Sequence, residues 1–261
     1  MKLKKLSLLI ILFFSCVFIQ PVEADLNDTS AIDQRVQDFQ MRYGIPLLYK
    51  DLTTATTAIT FKPVSIKEYG FLNDYLILFE KEIHQYPPIF FKKRQVRAVF
   101  LVTHLFSHKR PAQGAYSSEA RVMIFDVSRF SKNKALTRHS IHHELFHMMA
   151  FQTPNYILDD PRWSQLNSSA FVYGKSMNDW TKVNPVNPQA PNQLGFVTDY
   201  AMSSVEEDKA EVFACLKQET HHNLITRWAT KDGIMRQKIQ AIKDFVSSDF
   251  PEMNAGKNFH D

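Results

Sequence analysis

The chain has 261 residues, 44% of them hydrophobic and 22% charged, with 7 Gly, 12 Pro and 2 Cys. That composition suits a globular protein with a substantial core and excludes a disordered chain, a repeat fibre and a disulfide-built scaffold. The formal charge of +4 is modest, and part of it belongs to an N-terminus that reads as a targeting segment.

Lys2, Lys4 and Lys5 give a positive start, Leu6 to Ile19 an apolar run, and Val22-Glu23-Ala24 the residues a signal peptidase accepts. A signal peptide over residues 1–24 is the expectation, cleaved after Ala24. The apolar run is about 14 residues, short of the roughly 20 that span a bilayer, so no stable membrane span is expected. Phe13 and Phe14 stand before Ser15-Cys16 where a lipobox needs Leu and a small residue, which argues against a lipid anchor on Cys16. Cleavage removes three Lys and one Glu, lowering the formal charge from +4 to +2, and leaves Cys215 as the only cysteine. The expected location is therefore periplasmic or secreted, in a bacterial setting, with no intramolecular disulfide. A nearly neutral chain lacks the basic excess of a nucleic-acid binder, and Lys92, Lys93, Arg94 and Arg97 read as a solvated strand entrance.

From Ser30, the residues Ile32, Val36, Phe39 and Tyr43 recur at helical spacing and Gly44 follows as a stop. Leu47 to Lys50 and Ala58 to Lys62 look like short strands. A second helix is expected over about Ser65 to His84, ended by Pro87-Pro88. The β-rich runs Val96 to Leu105 and Arg121 to Val127 read as paired strands around a polar loop containing Gly114. A helix from about Asn133 to Phe151 comes next. Thr153 to Asp199 is proline-rich and without period. Three helical patterns close the chain, about Ser204 to Lys217, Thr220 to Ala229 and Gly233 to Ser247. Strands and helices first and helices last give an α+β N-terminal part over 25–151 and a loop-rich, then helical part over 152–261.

The helix after the second long strand carries His143-Glu144-Leu145-Phe146-His147. Two imidazoles four residues apart share one helix face and can bind one metal ion, while the carboxylate of Glu144 sits beside them. This is the H-E-x-x-H arrangement of zinc peptidases, in which neutral imidazoles are ligands and the non-ligand carboxylate takes a proton from water. A catalytic zinc needs a third protein ligand. The metzincin solution fails, because Ala150 and Thr153 stand where a Gly and a His would be needed. A Glu on a later helix is the alternative, and Glu207 and Glu211 lie four apart on one face: Glu207 to reach the metal, Glu211 to orient a ligand imidazole. Asp208 and Glu211 are the other candidates for third ligand. Capping boxes at Ser203 and Glu206, or at Ser204 and Glu207, account for the same acids structurally.

These residues, with Tyr200 seven positions before Glu207 and Ala210-Glu211-Val212-Phe213 after it, resemble the gluzincin clan, in particular the zinc domain of anthrax lethal factor and its relatives. Trp163-x-x-Leu166-Asn167, Phe171-x-Tyr173-Gly174 and Phe196-Val197-Thr198-Asp199-Tyr200-Ala201 are also similar to a group of bacterial zinc-binding metallopeptidases. The similarity covers about Arg121 to Leu216. It implies a thermolysin-like zinc peptidase fold with the strand Arg121 to Val127 close to the cleft, where an extended peptide could pair with it. It also implies that Tyr200 donates its hydroxyl to the oxyanion; on its own this Tyr would read as a half-buried aromatic before a helix.

The expectation is an exported peptidase holding one Zn²⁺ through His143, His147 and Glu207. Glu144 would be the base, Tyr200 the oxyanion donor and Glu211 a support to a ligand, with protein or peptide as substrate. A catalytically idle zinc module and a zinc hydrolase of a non-peptide substrate stay open. His139 and His142 are expected to be exposed or to support the ligands, His221 and His222 are unassigned, and Cys215 reads as a core thiol.

Overall fold

The computed structural model describes residues 29–52, 58–130, 133–174 and 195–254. The expected signal peptide and the middle of the proline-rich stretch lie outside them. Helix α1 (Ser30–Tyr43) buries Ile32, Val36, Phe39 and Tyr43 and stops at Gly44, whose φ of 67° closes the last turn as the spacing predicts. Strands β1 (Leu47–Leu48) and β2 (Ile59–Pro63) follow. The helix expected from Ser65 begins as a short 3-10 turn capped reciprocally by Ser65 and Glu68, then runs as α2 (Tyr69–Ile83). A one-turn helix, α3 (Ile89–Lys93), comes after the prolines. Five residues are too few to show a period, so nothing in the sequence announced it.

Among the described residues the sheet has six strands. Its centre is β3 (Ala98–Ser107), flanked by β1 (parallel) and β2 (antiparallel) on one side and by β4 (Arg110–Pro111, antiparallel) and β6 (Val122–Asp126, parallel) on the other. The turn into β4 places His108 and Lys109 at positive φ, the geometry that suits a two-residue hairpin. His104 is also at positive φ where the β2 register shifts, so one extra residue of β3 is accommodated there as a bulge. The expected neighbours Val96–Leu105 and Arg121–Val127 do pair. They pair in parallel because β5 (Gly114–Ser117), inside the supposed polar loop, turns back antiparallel to β6 on its outer side. This corrects one expectation: β6 is bonded along both edges and has none to offer a peptide, whereas β5 ends the sheet order.

Helix α4 (Lys134–Gln152), capped by the Asn133 side chain, packs on the sheet face that carries Val99, Leu101, Met123 and Phe125. Its Leu145, Phe146, Met148 and Met149 are fully buried, each contributing about 1.5–3 kcal/mol. After the short helix α5 (Pro161–Ser164) and a 3-10 turn (Tyr200–Met202), helices α6 (Val205–Lys217), α7 (Glu219–Ala229), α8 (Gly233–Asp249) and α9 (Pro251–Asn254) complete a mixed α+β architecture. α6 lies along α4. One buried cluster runs from Ile32 to Met253, so both parts of the chain contribute to the same core. Among the described residues no helix is long and apolar enough to cross a membrane.

Candidate metal centre

Two helices build the centre. α4 presents His143 and His147 one turn apart, and the first turn of α6 faces them. The Ser204 hydroxyl caps α6 by accepting from the Glu207 N–H at 3.2 Å. Of the two capping arrangements with the right spacing, the structure therefore uses the one at Ser204. The Glu207 carboxylate does not return to the cap. It turns to the imidazoles, at 3.0 Å from His143 Nε2 and 3.2 Å from His147 Nε2, and the two Nε2 atoms are 2.9 Å apart.

The outer nitrogens are held as well. His143 Nδ1 donates to Glu211 Oε1 at 2.8 Å and His147 Nδ1 donates to Glu206 Oε1 at 3.1 Å. An imidazole with its proton on Nδ1 has a lone pair on Nε2, so both lone pairs and a carboxylate oxygen converge on one point. Three acceptors facing one another are favourable only with a cation or shared protons between them. About 3.3 Å separates ligand atoms around a tetrahedral zinc, and the observed 2.9–3.2 Å fits that donor set. Burial lowers the imidazole pKa values, but the hydrogen bonds and charges of Glu207, Glu211 and Glu206 outweigh it, leaving His143 well above its usual value and His147 at about 9. Burial would raise Glu207, yet the two imidazoles hold it well below the carboxylate range. The centre thus attracts positive charge. The Glu207 side chain keeps 23% of its surface exposed against 8% and 10% for the imidazoles, so the group opens to solvent on the α6 side.

Glu144 is partly buried beside the triad and is not one of the converging donors. Burial pushes its carboxyl up, while His143 and His147 pull it down. Its stem lies against Gly114 of β5, where a Cβ would overlap Glu144 Cγ and come within 3.2 Å of Cδ. Tyr200 stands on the 3-10 turn before α6, its ring 5.7 Å from that of His143. Burial, the charge of Glu207 and a hydrogen bond to it hold the Tyr200 hydroxyl far above its usual pKa. The turn is fixed by Thr198, whose hydroxyl accepts from the Ala201 N–H at 3.0 Å and donates to Glu211 Oε2 at 2.6 Å.

The structure thus gathers His143, Glu144, His147, Tyr200, Glu207 and Glu211 at one place. Asp208 points the other way, into a buried pair with Lys238. His139 and His142 are both buried, not exposed: His139 donates from Nε2 to Glu211 at 2.8 Å, and His142 lies between Tyr86 and Glu82, away from the triad. His139 thus takes the supporting place of the two expected for it, and three participants escaped sequence reasoning: Glu206, Thr198 and Gly114. For Glu206 the signal was its place beside Glu207, which the capping explanation absorbed.

A family model described as "putative zinc-binding metallo-peptidase" matches residues 84–251. A solved structure described as a putative zinc-binding metallo-peptidase from Bacteroides caccae ATCC 43185 aligns with a TM-score of 0.49 at 18% identity, covering 90% of this chain and 95% of that one. No curated protein matches. With the family model spanning more than half its length, the chain belongs to this zinc-binding metallopeptidase family.

Proposed function

We propose that the protein is an exported zinc-dependent peptidase with a thermolysin-like site, holding one zinc per chain through His143, His147 and Glu207. The convergence of the two imidazole Nε2 atoms and the Glu207 oxygen carries this reading. Zinc, when bound, supplies the Lewis acidity that polarises a scissile carbonyl and makes water acidic enough to attack at neutral pH. Glu144 takes the proton from the attacking water and hands it to the leaving amine. Tyr200 donates its hydroxyl to the oxygen that gains charge. Glu206 and Glu211 fix the tautomer and angle of the ligand rings. The outer edge of β5 is where an extended peptide would add as a strand, beside the Gly114 that Glu144 packs against. Export rests on the basic and apolar segment that ends at Ala24.

Metal analysis followed by an unbiased peptide-library digest tests the reading. At least one equivalent of zinc with cleavage of a subset of peptides is the expected result. Zinc without any cleavage would leave an idle module or a hydrolase of another substrate.

Two substitutions probe the supports. Glu211 Oε1 accepts from two imidazoles while Oε2 accepts from Thr198, and an amide cannot serve all three donors. Glu211→Gln should weaken zinc binding by about 10–100-fold in a chelator competition. Gly114→Ala should leave zinc content unchanged but displace Glu144. The expected loss is on the order of tenfold or more in kcat, with KM much less affected; an unaltered kcat would show that Glu144 does not depend on that clearance.

A further inference from the structure

One helical turn behind the triad lies a second set of donors. His139 of α4, Cys215 of α6 and His221 in the first turn of α7 each offer one ligand atom, all within 4.8 Å of one another. His139 is set as a metal-binding imidazole is set: Nε2 donates to the Glu211 carboxylate at 2.8 Å, which places the lone pair on Nδ1. Nδ1 accepts from the Gln218 amide at 3.2 Å, and that amide nitrogen is shared with the Ala214 carbonyl, also at 3.2 Å. His221 Nδ1 is buried and has no hydrogen-bond partner among the described residues. A buried polar atom left without a partner is unfavourable, and a bound cation beside it relieves that. Cys215 is a fully buried free cysteine.

We propose that His139, Cys215 and His221 form a second cation site, suited to a borderline-soft divalent ion such as zinc or cobalt and separate from the His143–His147–Glu207 centre. Two imidazoles and a thiolate are the donor types such ions prefer. Binding releases the Cys215 thiol proton to solvent, and the remaining single positive charge faces the Glu211 carboxylate through its hydrogen bond to His139. That carboxylate already holds His143, so the two sites share one anion. His221 is only partly buried, which gives the ion a way in. Closing the ligand atoms from within 4.8 Å to the roughly 3.5 Å of a tetrahedral N–S edge asks for rotation of His221 and release of the Gln218 amide.

The test uses the full chain with Cys16→Ser, so that Cys215 is the sole thiol, stripped of metal and titrated with Co²⁺. Uptake of about two equivalents is expected, one of them accompanied by a near-ultraviolet thiolate-to-cobalt charge-transfer band, which the His/His/Glu centre cannot produce. Cys215→Ser should abolish the band. His221→Ala changes only a partly exposed helix position, and it should weaken that equivalent by on the order of tenfold or more. Glu207→Gln should weaken the other equivalent and spare the band. Uptake of one equivalent with no band overturns the second site and leaves the first standing, and a band that survives Cys215→Ser also overturns it.

Discussion

Glu144→Gln should keep its zinc and lose peptide hydrolysis by a factor of about 10²–10⁴ in kcat, the range ascribed to a positioned general base. The metal stays because Glu144 is not among the three converging donors, and the imidazoles are held from outside by Glu206 and Glu211. The fold stays because Gln fills the same volume against Gly114 and relieves a carboxylate whose burial already pushes its pKa up. The chemistry goes because an amide takes no proton. The zinc content of the wild type and an unchanged unfolding midpoint must accompany the loss for it to be assigned to the base. Cleavage at the wild-type rate would remove Glu144 from the mechanism.

What the sequence revealed follows from how local each cause is. His143 and His147 were legible because the helix imposes its spacing within one turn, and Glu207 with Glu211 for the same reason on α6. The end of α1 was legible because Gly44 answers a purely local backbone demand. β5 was not, since Gly114-Ala115-Tyr116-Ser117 lacks β-branched residues and owes its strand geometry to pairing with Val122–Phe125. Its Gly114 marks the close approach of Glu144, a contact that joins residues 30 positions apart. The second role of α6's acids was hidden similarly. A run of Glu206-Glu207-Asp208 at an N-terminus is favoured by the helix dipole, which gives no hint that two of the carboxylates turn to the imidazoles of α4 and the third to a buried ammonium. Glu206 goes to His147, Glu207 to both imidazoles and Asp208 to Lys238.

That last contact carries the largest expected stability effect. Asp208 Oδ2 accepts from Trp163 Nε1 at 2.8 Å, the Tyr173 hydroxyl at 2.7 Å and Lys238 Nζ at 2.6 Å. Lys238 also donates to the Gly195 carbonyl at 2.8 Å and lies 3.8 Å from the centre of the Phe196 ring. Gly195 is held at φ 83° against Ile234, where a side chain would collide. The pair thus ties α5, the segment ending in Tyr173, the approach to Tyr200 and α8 to the residue next to Glu207. Both charged groups are 0% exposed. Burial pushes the Asp208 carboxyl up and the Lys238 ammonium down, and each is offset chiefly by the other. Lys238→Met keeps the packing but strands the carboxylate, so unfolding in urea should come about 3–5 kcal/mol easier. The double variant with Asp208→Asn should recover a large part of that, because the amide oxygen still accepts from Trp163 and Tyr173 without a buried charge. If Lys238→Met unfolds at the wild-type midpoint, the pair is not what fastens these segments. If it unfolds early and also binds zinc more weakly, while the double variant restores both, then the buried pair is what holds Glu207 in register with the imidazoles of α4.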